Sequence, residues 1–203
     1  MTPVSPAFER RVAPGRALAG EAASIALACR AMALRFARGG RLLVFGDGGA
    51  SADAQHVAVE FVHPVIVGKR ALPALSLSHD AARLTAVAAT SGFEEVYAEQ
   101  VRLLAAEHDM ALGFSWDGGC ADVLRGLEAA HGLGLLTVAL VGGEGGEGGD
   151  GGDGGAVGRS PAVDHVLAAR SGDPCVVREI HMTVYHLLWE LVHVFLDQPQ
   201  EAR

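Results

Sequence analysis

The feature that most constrains this chain is an apolar run that leads directly into a glycine-rich turn. The run covers residues 42–45, the turn begins at Gly46, and a helix is predicted from about Ala50. This order predicts a buried strand, a tight turn, and a helix whose N-terminus and backbone N–H groups can bind an anion. The helix would place His56 and Glu60 one turn apart on the same face. One short segment therefore offers both an anion-binding turn and a histidine–carboxylate pair.

Composition narrows the class of protein. The chain has 203 residues, 50% of them hydrophobic, and a formal net charge of −8, which suits one domain and argues against nucleic-acid binding. Cys29, Cys120 and Cys175 are far apart and odd in number, which favours a reducing compartment. Residues 1–11 lack the apolar segment of a signal peptide, and no apolar run is long enough to span a bilayer. We therefore expect a cytoplasmic protein without membrane or nucleic-acid partners.

Predicted strands and helices alternate along the chain. Strands are predicted at residues 42–45, 71–77, 110–114, 135–141 and 163–168. Helices are predicted at residues 17–38, from 50 to before Pro64, and at 80–88, 92–105, 121–131 and 175–196. This alternation predicts an α/β fold with a parallel sheet. Such sheets bind ligands at the carboxyl ends of their strands, where the glycine turns after the first and third predicted strands would lie.

Two further segments have distinctive compositions. Residues 142–155 contain only glycine, glutamate and aspartate, and this predicts a flexible, solvated insert because the segment has no apolar area to bury. The last predicted helix is strongly apolar and carries His181, His186 and His193. We interpret His181 and His193 as structural or interfacial. For His186, which lies among apolar residues, a buried structural role and a catalytic role both stay open.

Several motifs occur in the order found in a known family. Over about residues 17–196, apart from the insert, the chain resembles the phosphoheptose (sedoheptulose-7-phosphate) isomerases of the sugar isomerase (SIS) domain superfamily. The resemblance rests on Gly46-x-Gly48-Gly49, on Asp53-Ala54-Gln55-His56 with Glu60, on Gly92-Phe93-Glu94-Glu95-Val96, and on Glu179-x-His181-x4-His186-Leu187. The first and last of these motifs are fairly specific as a pair, whereas either alone would be weak.

The resemblance implies a fold, a reaction and an assembly. The fold is a three-layer sandwich, with a five-stranded parallel sheet between helices, in a single SIS domain over residues 1–203. The reaction is an aldose–ketose isomerisation of a sugar phosphate through an enediol, and the assembly is a homotetramer with sites at subunit interfaces. Family members hold a zinc ion, whose ligands correspond to His56, Glu60, residue 178 and His186. The family's acid/base pair corresponds to Glu60 and His186.

The chemistry supports these roles independently. Moving a carbonyl between C1 and C2 needs a base for a carbon-bound proton and an acid for the oxygen, and a carboxylate with an imidazole can do both. Two histidines and a glutamate are also a plausible zinc set with one open position. We expect Ser115, Thr85 and the Gly48-Gly49 turn to help position the substrate.

The chain departs from the family where ligands would bind. The loop that is normally Ser-Thr-Ser-Gly-Asn-Ser reads Ser115-Trp116-Asp117-Gly118-Gly119-Cys120, and Asp47 replaces an asparagine. An aspartate at 117 would repel a phosphate that a hydroxyl would bind. Arg178 replaces the expected glutamine ligand, and a guanidinium has no lone pair to offer a metal. We place Asp47, Asp117, Cys120 and Arg178 among the substrate-binding candidates.

These departures leave three alternatives open. The chain is an isomerase with an altered substrate, such as a less anionic or amino-bearing sugar; or Arg178 holds an anion from the opposite side, with Asp117 as its partner; or the chain is a non-catalytic homologue that binds sugars or proteins. Asp117 could also simply cap the following helix.

Overall fold

The described residues, 4–64, 66–143 and 154–198 of this computed structural model, form alternating strands and helices. The strands are β1 (Leu42–Gly46), β2 (Ala74–Ser76), β3 (Met110–Ser115), β4 (Leu136–Gly143) and β5 (His165–Arg170). The helices are α1 (Ser5–Gly20), α2 (Ala22–Ala37), α3 (Gly48–Val62), α4 (Ala81–Ser91), α5 (Val96–Leu104), α6 (Ala121–Gly132), α7 (Gly155–Gly158) and α8 (Pro174–Asp197), and a 3-10 turn (Phe93–Glu95) precedes α5.

The strands form one parallel sheet in the order β2-β1-β3-β4-β5. In the register, Leu42 of β1 lies opposite Ala74 on one side and Met110 on the other. The chain therefore continues to one side of β1 for β2 and to the other side for β3. A sheet with this strand order has its switch point between β1 and β3, and ligands bind outside the carboxyl ends of those two strands.

The sheet is buried on both faces, as parallel sheets usually are. Alternate side chains of β1 and β3, such as Val44 and Leu112, pack against α2, α3 and α8. The intervening side chains, such as Phe45 and Ala111, pack against α5 and α6. The predicted three-layer α/β sandwich is confirmed. The first face matters most for function, because it brings α3 and α8 side by side at the β1/β3 switch point.

The N-terminal helix differs from its prediction. A single helix was expected over residues 17–38, whereas α1 and α2 are separate and bend by 58° between Gly20 and Ala22. Glycine is a poor helix former, which makes Gly20 a natural place for the break. No single helix in the described ranges is long and apolar enough to cross a membrane. Among these helices, only α1 and α2 taken together, despite the bend between them, have the length and apolar composition of a membrane span.

Several element boundaries also differ from their predictions. Strand β2 is shorter than predicted, since only Ala74–Ser76 pair with β1, and β5 begins at His165 rather than at residue 163. The predicted insert is shorter at both ends. Gly142 and Gly143 continue β4 by pairing with β5, and Gly155 begins α7. Residues 144–153, the remainder of the predicted insert, lie outside the described residues.

Candidate active site

Three predicted site residues meet where α3 and α8 pack together. Glu60 Oε1 lies 3.0 Å from His56 Nε2 and 3.2 Å from His186 Nε2. The Glu60 side chain is 11% exposed, whereas the His56 and His186 side chains are about half exposed. A largely buried carboxylate therefore lies between two half-exposed imidazoles. The structure brings together the residues that the resemblance pairs as an acid and a base.

The positions of α3 and α8 are fixed by local features of the sequence. Helix α8 begins where Pro174 occupies its first turn and the Asp173 carboxylate accepts a hydrogen bond from Cys175 N at 2.9 Å. Further along α8, Trp189 Nε1 donates to Glu60 O at 3.0 Å. This bond joins α8 directly to the residue of α3 that carries the central carboxylate.

The same three side chains fit a metal ion. One nitrogen from each histidine and one oxygen from Glu60 all lie within 4.8 Å of one another. The two measured separations, 3.0 and 3.2 Å, are close to the ligand–ligand distance of about 3.3 Å that tetrahedral zinc requires. Two imidazoles and a carboxylate are a common donor set for catalytic zinc, and they leave a fourth position open. The residues present therefore suit zinc without a fourth protein ligand.

Arg178, at the position of the fourth ligand that the resemblance implies, forms an ion pair instead. Its Nε and Nη2 donate to Asp53 Oδ2 and Oδ1, each at 3.2 Å, and Nη2 also reaches Gly49 O at 3.4 Å. A Cβ on residue 49 would lie 3.2 Å from Arg178 Nη1, so a glycine there leaves room for the guanidinium. The alternative in which Arg178 pairs with Asp117 is wrong, because the guanidinium pairs with Asp53 on the facing helix.

Acidic side chains lie close together in and beside the 115–120 loop, which follows β3. Cys120 Sγ donates to Asp47 Oδ1 at 3.5 Å and lies 3.8 Å from Asp117 Oδ1. Asp117 Oδ1 accepts from Gly119 N at 2.8 Å, and the residue at the N-cap of α6 is Cys120. The interpretation of Asp117 as a helix cap is therefore wrong. Ser115 is buried, and its Oγ accepts from Cys120 N at 3.3 Å.

Burial and negative charge shape the chemistry of this loop. Burial, together with the carboxylates of Asp47 and Asp117, raises the pKa of Cys120 to about 12, so Cys120 is a neutral thiol rather than a nucleophile. Asp122 is 3% exposed, and its Oδ2 has no hydrogen-bond partner among the described groups. Burial and the nearby Asp47 charge raise the pKa of Asp122 to about 6. This end of the sheet would repel a phosphate unless a counter-charge accompanied it.

Other predicted residues lie further from the cluster or serve the fold. Thr85 Oγ1 donates to Ala81 O at 2.7 Å within α4, so no described contact joins it to the cluster, and its substrate role stays a prediction. Gly48 is the first residue of α3. The ring nitrogens of His193 face Trp189 O and Arg70 O, and His181 is buried against Phe114. The structural interpretation of these two histidines agrees with their positions.

Sequence reasoning missed three residues at this site: Asp53 as an ion-pair partner, Asp122 and Tyr185. A spacing signal was available for two of them. Asp53 lies seven residues before Glu60, and Tyr185 lies seven residues after Arg178. A separation of seven puts both members on one face of a helix. The sequence could therefore have predicted that Asp53 and Glu60 share one face of α3. It could also have predicted that Arg178 and Tyr185 share one face of α8, but not which of these residues pair across the two helices.

Comparisons with known proteins agree with this geometry. The family model described as SIS domain matches residues 13–142. The chain is similar to a phosphoheptose isomerase of Solidesulfovibrio magneticus, with 37% identity over 188 residues, or 93% of this chain and 86% of that protein. It is also similar to a phosphoheptose isomerase of Desulfovibrio desulfuricans, with 40% identity over 79% of this chain and 71% of that protein.

Solved structures of similar fold include a phosphoheptose isomerase from Francisella tularensis. That structure has a TM-score of 0.83 and 28% identity, over 94% of this chain and 96% of that one. A phosphoheptose isomerase from Neisseria gonorrhoeae has a TM-score of 0.81 and 26% identity, over 93% and 96% of the two chains. Both matches extend over nearly the whole of each chain.

Proposed function

The chain belongs to the SIS domain family, and from that premise we propose that it is an aldose–ketose isomerase acting on a sugar phosphate of the sedoheptulose 7-phosphate type. One observation carries the proposal: Glu60 Oε1 lies within 3.2 Å of the Nε2 atoms of both His56 and His186. An acid and a base that face one substrate from two helices are what a carbonyl shift between neighbouring carbons requires.

In the proposed reaction, Glu60 and His186 exchange protons with the substrate in two steps. The Glu60 carboxylate takes the proton from C2 of the aldose while protonated His186 gives a proton to the C1 oxygen, which yields an enediol. His186 then takes the proton from the C2 hydroxyl, and Glu60 returns its proton to C1. The product is the ketose, and both side chains end in their starting states. His56 orients Glu60 through their 3.0 Å contact.

We propose that His56, Glu60 and His186 are the residues that hold zinc. A zinc ion there would supply Lewis-acid polarisation of the substrate's carbonyl oxygen in place of the proton from His186, because one imidazole nitrogen cannot hold a metal and a proton at the same time. Arg178 and the N-terminal turn of α3 at Gly48 and Gly49 support binding of the substrate's anionic end, because both offer positive charge beside the cluster. Ser115 and Thr85 remain proposed substrate-binding positions.

The cellular setting is also part of the proposal. We propose a single-domain cytoplasmic protein, which the free thiols of Cys29, Cys120 and Cys175 support. We further propose a homotetramer. Apolar side chains exposed at the end of α3 and just beyond it support this assembly, and they are Val59, Val62, Ile66 and Val67.

A second candidate is favoured by one observation, the convergence of Asp47 and Asp117 on Cys120. Carboxylates in place of phosphate-binding hydroxyls suit a less anionic or amino-bearing sugar. The two candidates share the His56–Glu60–His186 chemistry and differ only in the substrate's far end. Turnover of phosphorylated and unphosphorylated heptoses by the same preparation separates them.

The deciding experiment measures kcat for sedoheptulose 7-phosphate in the zinc-loaded protein. Glu60→Gln and His186→Asn should each lower kcat by about 10²- to 10⁴-fold, the usual contribution of a general acid or base. His131→Asn, at an exposed histidine in the last turn of α6, is the matched control and should behave as wild type. A wild-type protein that turns over neither class of sugar would contradict the proposal and favour a non-catalytic homologue.

A further inference from the structure

Tyr185 is a large buried side chain beside the proposed reaction centre. Its ring centroid lies 4.7 Å from that of His186 and 5.7 Å from that of His56, and the residue is only 1% exposed. Phe114 at the end of β3 packs against it edge-on at 6.2 Å. The tyrosine therefore lies between the sheet and the two imidazoles.

The two carboxylates whose charges act on the Tyr185 hydroxyl, those of Asp53 and Glu60, already contact other side chains. Both oxygens of Asp53 accept from Arg178, and Glu60 Oε1 is shared by His56 and His186. Within the described part of the chain, the hydroxyl itself has no hydrogen-bond partner. A phenol is protonated below its ordinary pKa of about 10, so the hydroxyl has a donor to offer.

Packing alone does not account for this hydroxyl. A phenylalanine would fill the same space beside Phe114 and His186. In the described residues the enclosed side-chain atoms without a partner are Asp122 Oδ2 and His181 Nε2, so the Tyr185 hydroxyl is not fully enclosed and is reachable from solvent. A hydroxyl that is reachable from solvent and unpaired within the described residues can take a partner from outside the protein. The outside partner must be a hydrogen-bond acceptor that enters beside the His56–Glu60–His186 cluster.

We propose that the Tyr185 hydroxyl donates a hydrogen bond to the substrate oxygen that gains negative charge as the carbonyl becomes an enediolate. This inference rests on the proposed isomerase function and adds a catalytic residue to it. Tyr185 keeps its proton throughout, so the proton transfers of Glu60 and His186 are unchanged. Its contribution is a hydrogen-bond donor for the charge that develops on the substrate oxygen.

The first test compares kcat, KM, zinc content and thermal stability in wild type and Tyr185→Phe. The variant should lose about 100-fold in kcat, the typical effect of removing one such donor, with KM changed less than about threefold. Zinc content and melting temperature should not change, since the hydroxyl has no protein partner to lose. Tyr97→Phe provides the contrast. The Tyr97 hydroxyl donates to Gly46 O at 2.6 Å, so that variant should lower the melting temperature.

The second test measures calorimetric binding of two probes to the zinc-loaded protein. One is an aldonohydroxamate phosphate, which mimics the enediolate, and the other is the corresponding sugar-alcohol phosphate, which cannot. Tyr185→Phe should weaken binding of the hydroxamate at least tenfold and leave that of the alcohol unchanged. An active wild type with an equally active Tyr185→Phe variant overturns the inference alone. A wild type that neither reacts nor binds either probe overturns the isomerase function, and the inference with it.

Discussion

Arg178 is paired with Asp53 and not with the aspartate of the 115–120 loop. Two hydrogen bonds of 3.2 Å join the guanidinium on α8 to the carboxylate on α3. The Asp53 side chain is 11% exposed and that of Arg178 is 50% exposed. The ion pair therefore links the two helices that carry Glu60 and His186, and it places a cation where the resemblance implies a neutral amide.

The first prediction concerns this link. Arg178→Met leaves the sheltered Asp53 carboxylate without its partner, so it should lower the free energy of unfolding by about 1–2 kcal/mol, less than a fully buried pair because Arg178 is half exposed. Asp53→Asn in the same chain should recover part of the loss, since the uncompensated charge is removed. Urea denaturation of the two single variants and the double variant measures this coupling.

A matched control is Arg170→Met. Arg170, at the end of β5, pairs with Glu21, between α1 and α2, at 2.6 Å, and both side chains are more exposed than that of Asp53. Loss of the Arg170–Glu21 pair should lower the free energy of unfolding by about 0–1 kcal/mol. Strictly additive effects of Arg178→Met and Asp53→Asn would show that the two side chains do not stabilise the fold as a pair.

The second prediction concerns zinc and stability. A ligand that binds only the folded protein raises the free energy of unfolding, by about 2.7 kcal/mol at a free concentration 100 times its dissociation constant. Zinc should therefore raise the melting temperature of wild type, and dialysed protein should retain about one ion per chain. His186→Asn should abolish both effects, whereas His131→Asn should not. Equal zinc retention in wild type and His186→Asn would place the metal elsewhere.

The architecture and half of the site could be predicted from local sequence. Buried apolar runs gave the strand at 42–45, and the spacing of His56 and Glu60 placed them together because helical geometry is fixed. Helix α1 was missed because polar contacts such as Arg11 with Glu179 at 2.7 Å hold it, and these leave no hydrophobic period. Arg178 pairs with Asp53 rather than with Asp117 because of how α8 packs against α3. No local sequence pattern predicts that packing.

The third prediction concerns Asp122, whose pKa is raised from 3.8 to about 6. Below pH 3.8 this carboxyl is neutral in both the folded and the unfolded state, so its burial as a charge does not lower the free energy of unfolding. Between pH 3.8 and about 6 the unfolded state has lost a proton that the folded state still holds, so the free energy of unfolding falls as the pH rises through this range and is constant above it. Asp122→Asn removes that cost, and it should stabilise the protein by about 1–3 kcal/mol at pH 7.

The sign of the pH dependence identifies the group responsible. The stabilisation by Asp122→Asn should shrink as the pH falls from 7 to 4. Burial lowers the pKa of His181 from 6.5 to about 4, so His181 destabilises the fold as the pH falls through the same range, in both proteins alike. The difference between wild type and variant in urea melts at each pH therefore isolates Asp122. A stabilisation that is constant from pH 4 to pH 7 would contradict the proposed charge effect.

The fourth prediction concerns the close approach of two glycines beside the site. Gly118 has a φ of 73°, which side-chain-bearing residues rarely adopt, and a Cβ there would lie 1.9 Å from Gly154 O. Gly118 O also accepts a hydrogen bond from Val157 N at 2.9 Å, so the loop cannot move away without losing it. Gly118→Ala should therefore lower the free energy of unfolding by more than about 2 kcal/mol.

Gly119→Ala is the matched control, one residue along the same loop. The atoms nearest to a Cβ there belong to the Asp117 carboxylate, at 3.3 Å or more, and that side chain can rotate away. Gly119→Ala should therefore lower the free energy of unfolding by less than about 1 kcal/mol. Because Gly118 anchors the chain that follows β4 to the 115–120 loop, Gly118→Ala should also raise KM for the sugar substrate while Gly119→Ala leaves it unchanged. Equal stability and equal KM in the two variants would show that the approach of Gly118 to Gly154 does not fix the loop.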